Sequence, residues 1–276
     1  MQFFSDVINR SSDFKPTIEL LSELQTRYLH AATYNNLEVI LGNIPTLLPK
    51  DAFQSVVINN EGGTCRNLNL AFYHLLDTIG FKIHLVSPFV LNYNQMQLHY
   101  DRPTHMAIIV NIDDQKYLVD PGWANGSRVP IPLNGTVITH LLGTFRAISD
   151  EDGSFHFQRK FEQWVTQFTF NPDTAMHYND FQDLIDFIYS DDSMYRQCLF
   201  VTRAAPKYCI ALVDDQIYTT LSNGEKKIES VESKGGISRV LIDDFGLSPH
   251  YVNAVVWIKQ QILAEAYSKL YSKWTI

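Results

Sequence analysis

The stretch Gly62-Gly63-Thr64-Cys65 constrains this chain more than any other. Two consecutive glycines release the backbone from its usual steric limits. A hydroxyl residue then offers a helix N-cap, and a cysteine follows at the first helical position. Downstream, Leu68, Phe72, Leu75, Leu76 and Ile79 recur at three- and four-residue spacing, and Gly80 stands where a C-terminal cap belongs. A thiol at a helix start meets unpaired N–H groups and the positive end of the dipole, and both favour thiolate. The same N–H groups point at whatever the sulfur attacks and can stabilise an oxyanion. Taken by itself, the segment fits a nucleophile or a small buried cysteine after a tight turn.

What surrounds this segment is of ordinary globular make-up: 276 residues, 45% apolar and 19% charged. That length suits one large domain, or about two or three small ones around a substantial core. The net charge of −8, with no basic run longer than a pair, argues against a general nucleic-acid binder. No apolar stretch approaches the roughly 18 residues of a membrane span. The segment Met1-Gln2-Phe3-Phe4-Ser5-Asp6-Val7 lacks a basic region followed by an apolar core, so no signal peptide is expected. Cys65, Cys198 and Cys209 form an odd set without framework spacing, which indicates free thiols in a reducing compartment. The expectation is a soluble cytoplasmic protein.

Ahead of the cysteine the chain reads as helical. Lys15-Pro16-Thr17 opens a helix with an apolar stripe at Leu20, Leu21, Leu24 and Tyr28. A short helix is expected near Asn36–Leu41, and Pro45 and Pro49 break the chain before Phe53–Ile58. From Lys82 the composition turns to β type. Met106-Ala107-Ile108-Ile109-Val110 and Tyr117-Leu118-Val119-Asp120 flank a polar turn at Ile112-Asp113-Asp114-Gln115, which predicts a hairpin. His105 stands at the entrance of its first strand and Asp120 at the exit of its second. In an antiparallel pair those positions share one end of the ladder. A carboxylate there can hold an imidazole by one nitrogen while the other faces a nucleophile. Pro121-Gly122 then ends the strand sharply.

No C-x-x-C, H-E-x-x-H or comparable spacing occurs, so no metal site is expected. In the last third, Ser154–Gln158 and Trp164–Phe170 alternate like barrel strands, and Asn179–Tyr189 reads as a short helix. Cys209–Val213, Gln216–Leu221 and Lys226–Val231 form a meander, with Asn223-Gly224 a strong hairpin signal. Val240-Leu241-Ile242 reads as a short strand, and a helix is expected from about Val252 to Tyr271. Cys198 and Cys209 lie among apolar neighbours and read as core. Lys226, Lys227, Lys234 and Arg239 read as a solvated basic face.

Glu61-Gly62-Gly63-Thr64-Cys65-Arg66-Asn67-Leu68-Asn69, Thr104-His105-Met106 and Tyr117-Leu118-Val119-Asp120-Pro121-Gly122 resemble the arylamine N-acetyltransferases. That family carries an R-G-G-x-C-x-E/Q-x-N element, an H-M/L strand and a Y-L-V-D-x-G strand end. Tyr34-Asn35-Asn36-Leu37 falls where the family has P-F-E-N-L. The resemblance implies an α+β fold of the papain-like cysteine enzyme superfamily. A helical bundle (residues 1–80) would carry the cysteine, a central β-barrel (81–190) the histidine and aspartate, and an α/β lid (191–276) would follow. It implies Cys65 as nucleophile, His105 as base and Asp120 as the residue orienting it. Trp123 would wall the acceptor pocket and Thr104 would touch substrate. Acetyl-CoA would be the acyl donor, and an arylamine or hydrazine the acceptor, in a ping-pong reaction. No metal, nucleic acid or membrane is implied. Glu61, Asn67 and Tyr34-Asn35 depart from the family pattern. A thiol-dependent amide synthase or transglutaminase-like transferase with a non-CoA donor stands as the alternative, and a non-catalytic binding protein of the same fold as a third.

Overall fold

The helix Cys65–Ile79 forms where its apolar spacing predicts and ends at Gly80, whose φ of +94° is the left-handed conformation that favours glycine. Its start is closed by Asn67, whose Oδ1 accepts from the Thr64 backbone N–H at 3.2 Å and from the Thr64 hydroxyl at 3.0 Å. The structure, a computed structural model, describes residues 2–42, 48–91, 103–124, 126–140, 143–191 and 193–256.

Helices gather around the cysteine helix. Thr17 caps the helix Ile18–Ala31, accepting from the Leu20 N–H at 3.3 Å. From that helix the Tyr28 ring packs at a tilt on Phe72, 4.9 Å between centroids, and its hydroxyl donates to the Leu68 carbonyl at 3.0 Å. The expected short helix lies at Leu37–Ile40. Among the helical pieces without a clear sequence signal are Gln2–Asn9 and Pro49–Phe53, the latter running into a wider turn at Gln54–Ile58.

The predicted hairpin is present as Ala107–Ile112 and Gln115–Val119, at the centre of an antiparallel sheet with Lys82–Val86 on one flank and Ile131–Pro132 on the other. Its middle strand reads as one apolar run because both faces are covered. Ile108, Val110 and Ile112 face the helices, while Ala107 and Ile109 face a second sheet. That second sheet runs Phe89–Val90, Trp164–Phe170, Phe155–Lys160, Gly143–Ser149 and Ile138–His140. Phe145, Ala147, Phe157 and Phe168 pack it onto the first sheet. The result is a mixed α/β fold with two sheets stacked face to face. Among the described residues no ladder joins them into a closed barrel.

The third sheet holds the meander, Phe200–Ala204, Tyr208–Val213, Gln216–Leu221 and Lys226–Ser230. Its first strand also pairs with Tyr34–Asn35, far upstream. The expected strand at Val240-Leu241-Ile242 is corrected by the structure. Ile237–Arg239 and Val240–Asp244 are helical, with Val240, Leu241 and Phe245 buried against the sheet. Three adjacent apolar residues suit either state; here Ile237, Val240, Leu241 and Phe245 follow the helical spacing, between Gly236 and Gly246. The final helix covers residues 249–256, and the rest of its expected span lies outside the described residues.

Phe72, on the cysteine helix, is fully buried against Tyr28 of the helix Ile18–Ala31. Phe72→Ala is expected to lower the free energy of unfolding by about 3–5 kcal/mol, read from the urea midpoint at constant slope.

Candidate active site

Three backbone segments converge on Cys65. Within the hairpin, Ile108 stands opposite Val119, so His105 and Asp120 share one end of the ladder as expected. His105 Nε2 lies 2.7 Å from Asp120 Oδ2, and both side chains are buried. With Nε2 turned to the carboxylate, Nδ1 is the nitrogen left for the hydrogen bond between His105 and Cys65. Burial works against charge on the His105 ring. The Asp120 carboxylate and the Cys65 sulfur outweigh it and raise the ring to about 10. The imidazolium is therefore the form held at neutral pH.

The strand end reaches the helix start because residue 122 is glycine. A Cβ there would stand 2.6 Å from Asn69 Nδ2, 2.7 Å from the Cys65 carbonyl oxygen and 2.8 Å from the Cys65 Cα. Asn69, one helical turn beyond Cys65, fastens the junction. Its Nδ2 donates to Asp120 Oδ1 at 2.8 Å and to the Met106 carbonyl, while its Oδ1 accepts from the Gly122 N–H at 3.0 Å. In the sequence Asn69 stands out only as part of a motif. Its i+4 spacing from Cys65, which places both on one helix face, was the available signal.

Aromatic rings fix His105 from the other sides. Trp123 meets it edge-on at 5.1 Å and Phe168 lies at 5.5 Å, the two also touching each other at 5.2 Å. Phe168 was not anticipated, although its inward position follows from strand alternation. Thr104 is buried beside His105, and its hydroxyl has no hydrogen-bond partner among the described residues.

Each departure from the family pattern has a local account. Asn67 stands where the family has Glu or Gln, yet still reaches back to Thr64, as an N3 residue of a capping box does. Glu61 accepts from the Ser55 hydroxyl at 2.6 Å and from Asn59 Nδ2 at 3.3 Å, so other polar groups hold its carboxylate. Arg66 is instead the partner of Glu38, at 3.8 Å. Burial, only partly offset by that arginine, raises the Glu38 carboxyl to about 7. Asn35 donates to the Glu61 carbonyl at 2.9 Å and accepts from the Leu37 N–H at 3.1 Å, bracing the loop ahead of Cys65.

The C-terminal part is stitched to the same loop. The Ser248 N–H donates to the Asn60 carbonyl at 2.9 Å, Asn60 Nδ2 donates to the Gly246 carbonyl, and Thr33 Oγ1 donates to the Phe245 carbonyl at 2.7 Å. Cys198 and Cys209 are half-buried, and burial pushes both thiols up. Of the basic face, Lys227 and Lys234 pair with Glu229, and Arg239 pairs with Asp243.

A family profile described as N-acetyltransferase matches residues 17–253. The chain is 26% identical over 193 residues to a probable arylamine N-acetyltransferase 3 of Dictyostelium discoideum, covering 62% of each chain. This chain belongs to the arylamine N-acetyltransferase family. The chain thus spans about three-fifths of that first curated relative's length. It is also 25% identical over 249 residues to proansamycin X synthase of Amycolatopsis mediterranei, covering 83% of this chain and 92% of that one. Among solved structures, the fold resembles the Mycobacterium marinum arylamine N-acetyltransferase in complex with CoA. The TM-score is 0.77 at 19% identity, covering 91% of this chain and 96% of that one. Cys65, His105 and Asp120, distant in sequence, are brought together by this fold.

Two outcomes test this geometry. Because the His105 ring is raised above its unfolded value of about 6.5, its contribution to stability is fully present below that pH. It is lost as pH rises toward about 10, since the unfolded chain releases the proton first. Asp120→Asn removes the largest raising cause, so the drop in urea midpoint between pH 6.5 and 9.5 is expected to shrink. Asn69→Ala strips partners from Asp120 Oδ1 and the Gly122 N–H. It is expected to cost about 1–3 kcal/mol for each buried group left unsatisfied, measured by chemical denaturation at neutral pH.

Proposed function

We propose that this chain is an arylamine N-acetyltransferase-like acyltransferase, moving an acetyl group from acetyl-CoA to an arylamine or hydrazine nitrogen through a Cys65 thioester. The observation that carries it is the sulfur at a helix start, hydrogen-bonded to a histidine that Asp120 holds at 2.7 Å. Family membership, and the coenzyme A in the Mycobacterium marinum complex, support the donor.

The roles follow from position. The sulfur attacks the thioester carbonyl, and the proton that Cys65 gives up is held by His105. A sulfur–carbon bond forms, the carbonyl electrons move to oxygen, and backbone N–H groups at the helix start receive the oxyanion. When the carbonyl re-forms, the bond to the coenzyme A sulfur breaks and that thiolate takes the proton from His105. The amine then attacks the Cys65 thioester, passes its proton to His105, and Cys65 departs. Asp120 keeps the imidazole oriented and stabilises its charge throughout. Trp123 forms an aromatic wall for the acceptor. The Thr104 hydroxyl, without a hydrogen-bond partner among the described residues, is a substrate contact beside His105.

The finer architecture belongs to the same reading. Residues 1–80 act as the helical bundle, 81–190 as a barrel-like pair of sheets, and 191–276 as an α/β lid over the cleft. The shared core of the two central sheets and the stitching of residues 245–248 to the Cys65 loop support this division. No described helix is long and apolar enough to cross a membrane. We assign the enzyme to the cytoplasm on its free thiols.

A second reading, acyl transfer from a donor other than coenzyme A, is favoured by one finding. The relative covered over 92% of its length is named a synthase, not an acetyltransferase. One experiment separates the readings. Intact mass after mixing with acetyl-CoA is expected to show a single acetyl adduct that Cys65→Ala abolishes, and coenzyme A release is expected to depend on added arylamine. An adduct without amine-dependent turnover selects the second reading. An adduct on Cys198 or Cys209 refutes the assignment of the nucleophile.

A further inference from the structure

Beyond Trp123 the chain enters a set of buried polar contacts that the mechanism above leaves unused, and Arg128 stands at its centre. The residue is only 7% exposed. Its Nη2 donates to the Ala205 carbonyl at 2.6 Å. The Pro206 and Tyr208 carbonyls and His30 Nε2 lie 3.4 Å from its terminal nitrogens, and the Cys209 sulfur 3.6 Å. Among the described residues none of its partners is a carboxylate, and its Nε is buried with no partner at all. A cation buried without a counter-ion is costly, so this arginine is a poor device for stability alone. What it does is bridge. Residues 205–208 form the turn between Phe200–Ala204 and Tyr208–Val213 of the third sheet, and His30 belongs to the helix Ile18–Ala31.

The backbone of the same short segment is fastened as well. Gln25 Nε2 donates to the Ser127 carbonyl at 3.0 Å, and the Thr26 hydroxyl donates to the Arg128 carbonyl at 3.1 Å. The Arg128 N–H donates to His140 Nε2 at 2.9 Å. Burial, then Arg128 and Arg159, hold the His140 ring down at about 4, so at neutral pH that nitrogen is an unprotonated acceptor. Gly126 joins this anchorage to Trp123. Its N–H donates to the Trp123 carbonyl at 2.8 Å, and a Cβ there would stand 3.1 Å from Trp123 Cβ and 3.2 Å from its Cδ1. The indole in turn meets His105 and Phe168 edge-on. A hold on residues 127 and 128 is therefore passed through Gly126 to the ring beside the catalytic histidine.

We propose that Arg128 is a positioning residue for acceptor selectivity: by fastening residues 126–128 to the turn at 205–208, it holds the Trp123 ring where an aromatic amine lays its own ring. This rests on the reading of Trp123 as the acceptor wall and adds what keeps that wall in place. A wall set before the acceptor arrives has less freedom to lose on binding. Only acceptors that carry a ring gain from it, because hydrazine itself has nothing to lay against an indole. The consequence is a difference in kcat/KM between two acceptors of one acetyl-enzyme.

The test offers p-anisidine and hydrazine together, with acetyl-CoA, and measures the two acetylated products. Both acceptors draw on the same acetyl-enzyme, so the product ratio does not depend on the folded fraction or on the rate of acylation. Arg128→Met keeps an unbranched side chain and removes its donors. It is expected to lower the ratio of arylamine to hydrazine product about tenfold, the scale of a lost apolar contact in a specificity pocket. Trp123→Leu is expected to lower the ratio as well, and adding Arg128→Met to it is expected to lower the ratio no further. Thr26→Val removes one bond to the Arg128 carbonyl. It is expected to shift the ratio the same way by less, and it decides the matter should Arg128→Met not fold. A wild-type ratio in the deciding variant overturns the proposal and leaves Arg128 a packing role. A full further loss in the Trp123→Leu background overturns it too, since Arg128 would then act elsewhere. If the wild type acetylates neither acceptor, the proposed function falls, and this proposal with it.

Discussion

The contact between the strand end at Gly122 and the helix start at Cys65 is the constraint on which the rest of the structure depends. Neither segment needs the other to form. The helix is specified by its own apolar spacing and caps, and the hairpin by its alternation and turn. They meet at a separation that any side chain at position 122 would prevent. Asn69 then uses both ends of its amide to hold the contact, one on the Asp120 carboxylate and the other on the Gly122 backbone. A buried carboxylate and a buried imidazole are costly unless fully partnered. Here each partner is supplied by an element placed there for other reasons, which lets a polar cluster survive inside an apolar core.

Much of this was legible in the sequence because the signals were local. A double glycine, a capping residue and a helical stripe announce a helix start, and two β-branched runs around a polar turn announce a hairpin. Their relative placement was legible only through the likeness to a family. Where the sequence misled, the reasons are physical. Val240-Leu241-Ile242 is too short a run to show a period, and its helical state is set by burial of Val240 and Leu241 against the third sheet. Tyr34-Asn35 pairs with a strand more than 160 residues downstream, so no window of neighbouring residues could reveal it as a strand. Phe168 supports His105 from a different sheet, through stacking that sequence separation hides.

The substitutions around Cys65 illustrate how a motif tolerates change when its physical tasks are kept. Asn67 is shorter than Glu or Gln but still accepts from Thr64, so the helix start keeps its closure. Glu61 brings a charge of the wrong sign to the loop, and Ser55 and Asn59 hold that carboxylate. Arg66 finds its acid at Glu38, in the segment after Tyr34. What persists is a braced loop leading into a sulfur at a capped helix start, and that geometry matters more than the letters that achieve it.

The pairing of Tyr34–Asn35 with Phe200–Ala204 carries a consequence for the order in which the molecule is made. While the chain emerges from the ribosome, the cysteine helix and the hairpin can be complete with the last third still unsynthesised. The loop ahead of Cys65 cannot, because its neighbours are bonded to residues 200–204 and 245–248. Long-range contacts of this kind form late, since their closure entropy must be met first. A nascent chain would therefore carry Cys65 through most of translation behind a loop not yet braced, and complete the surroundings of that thiol only after the final strands dock.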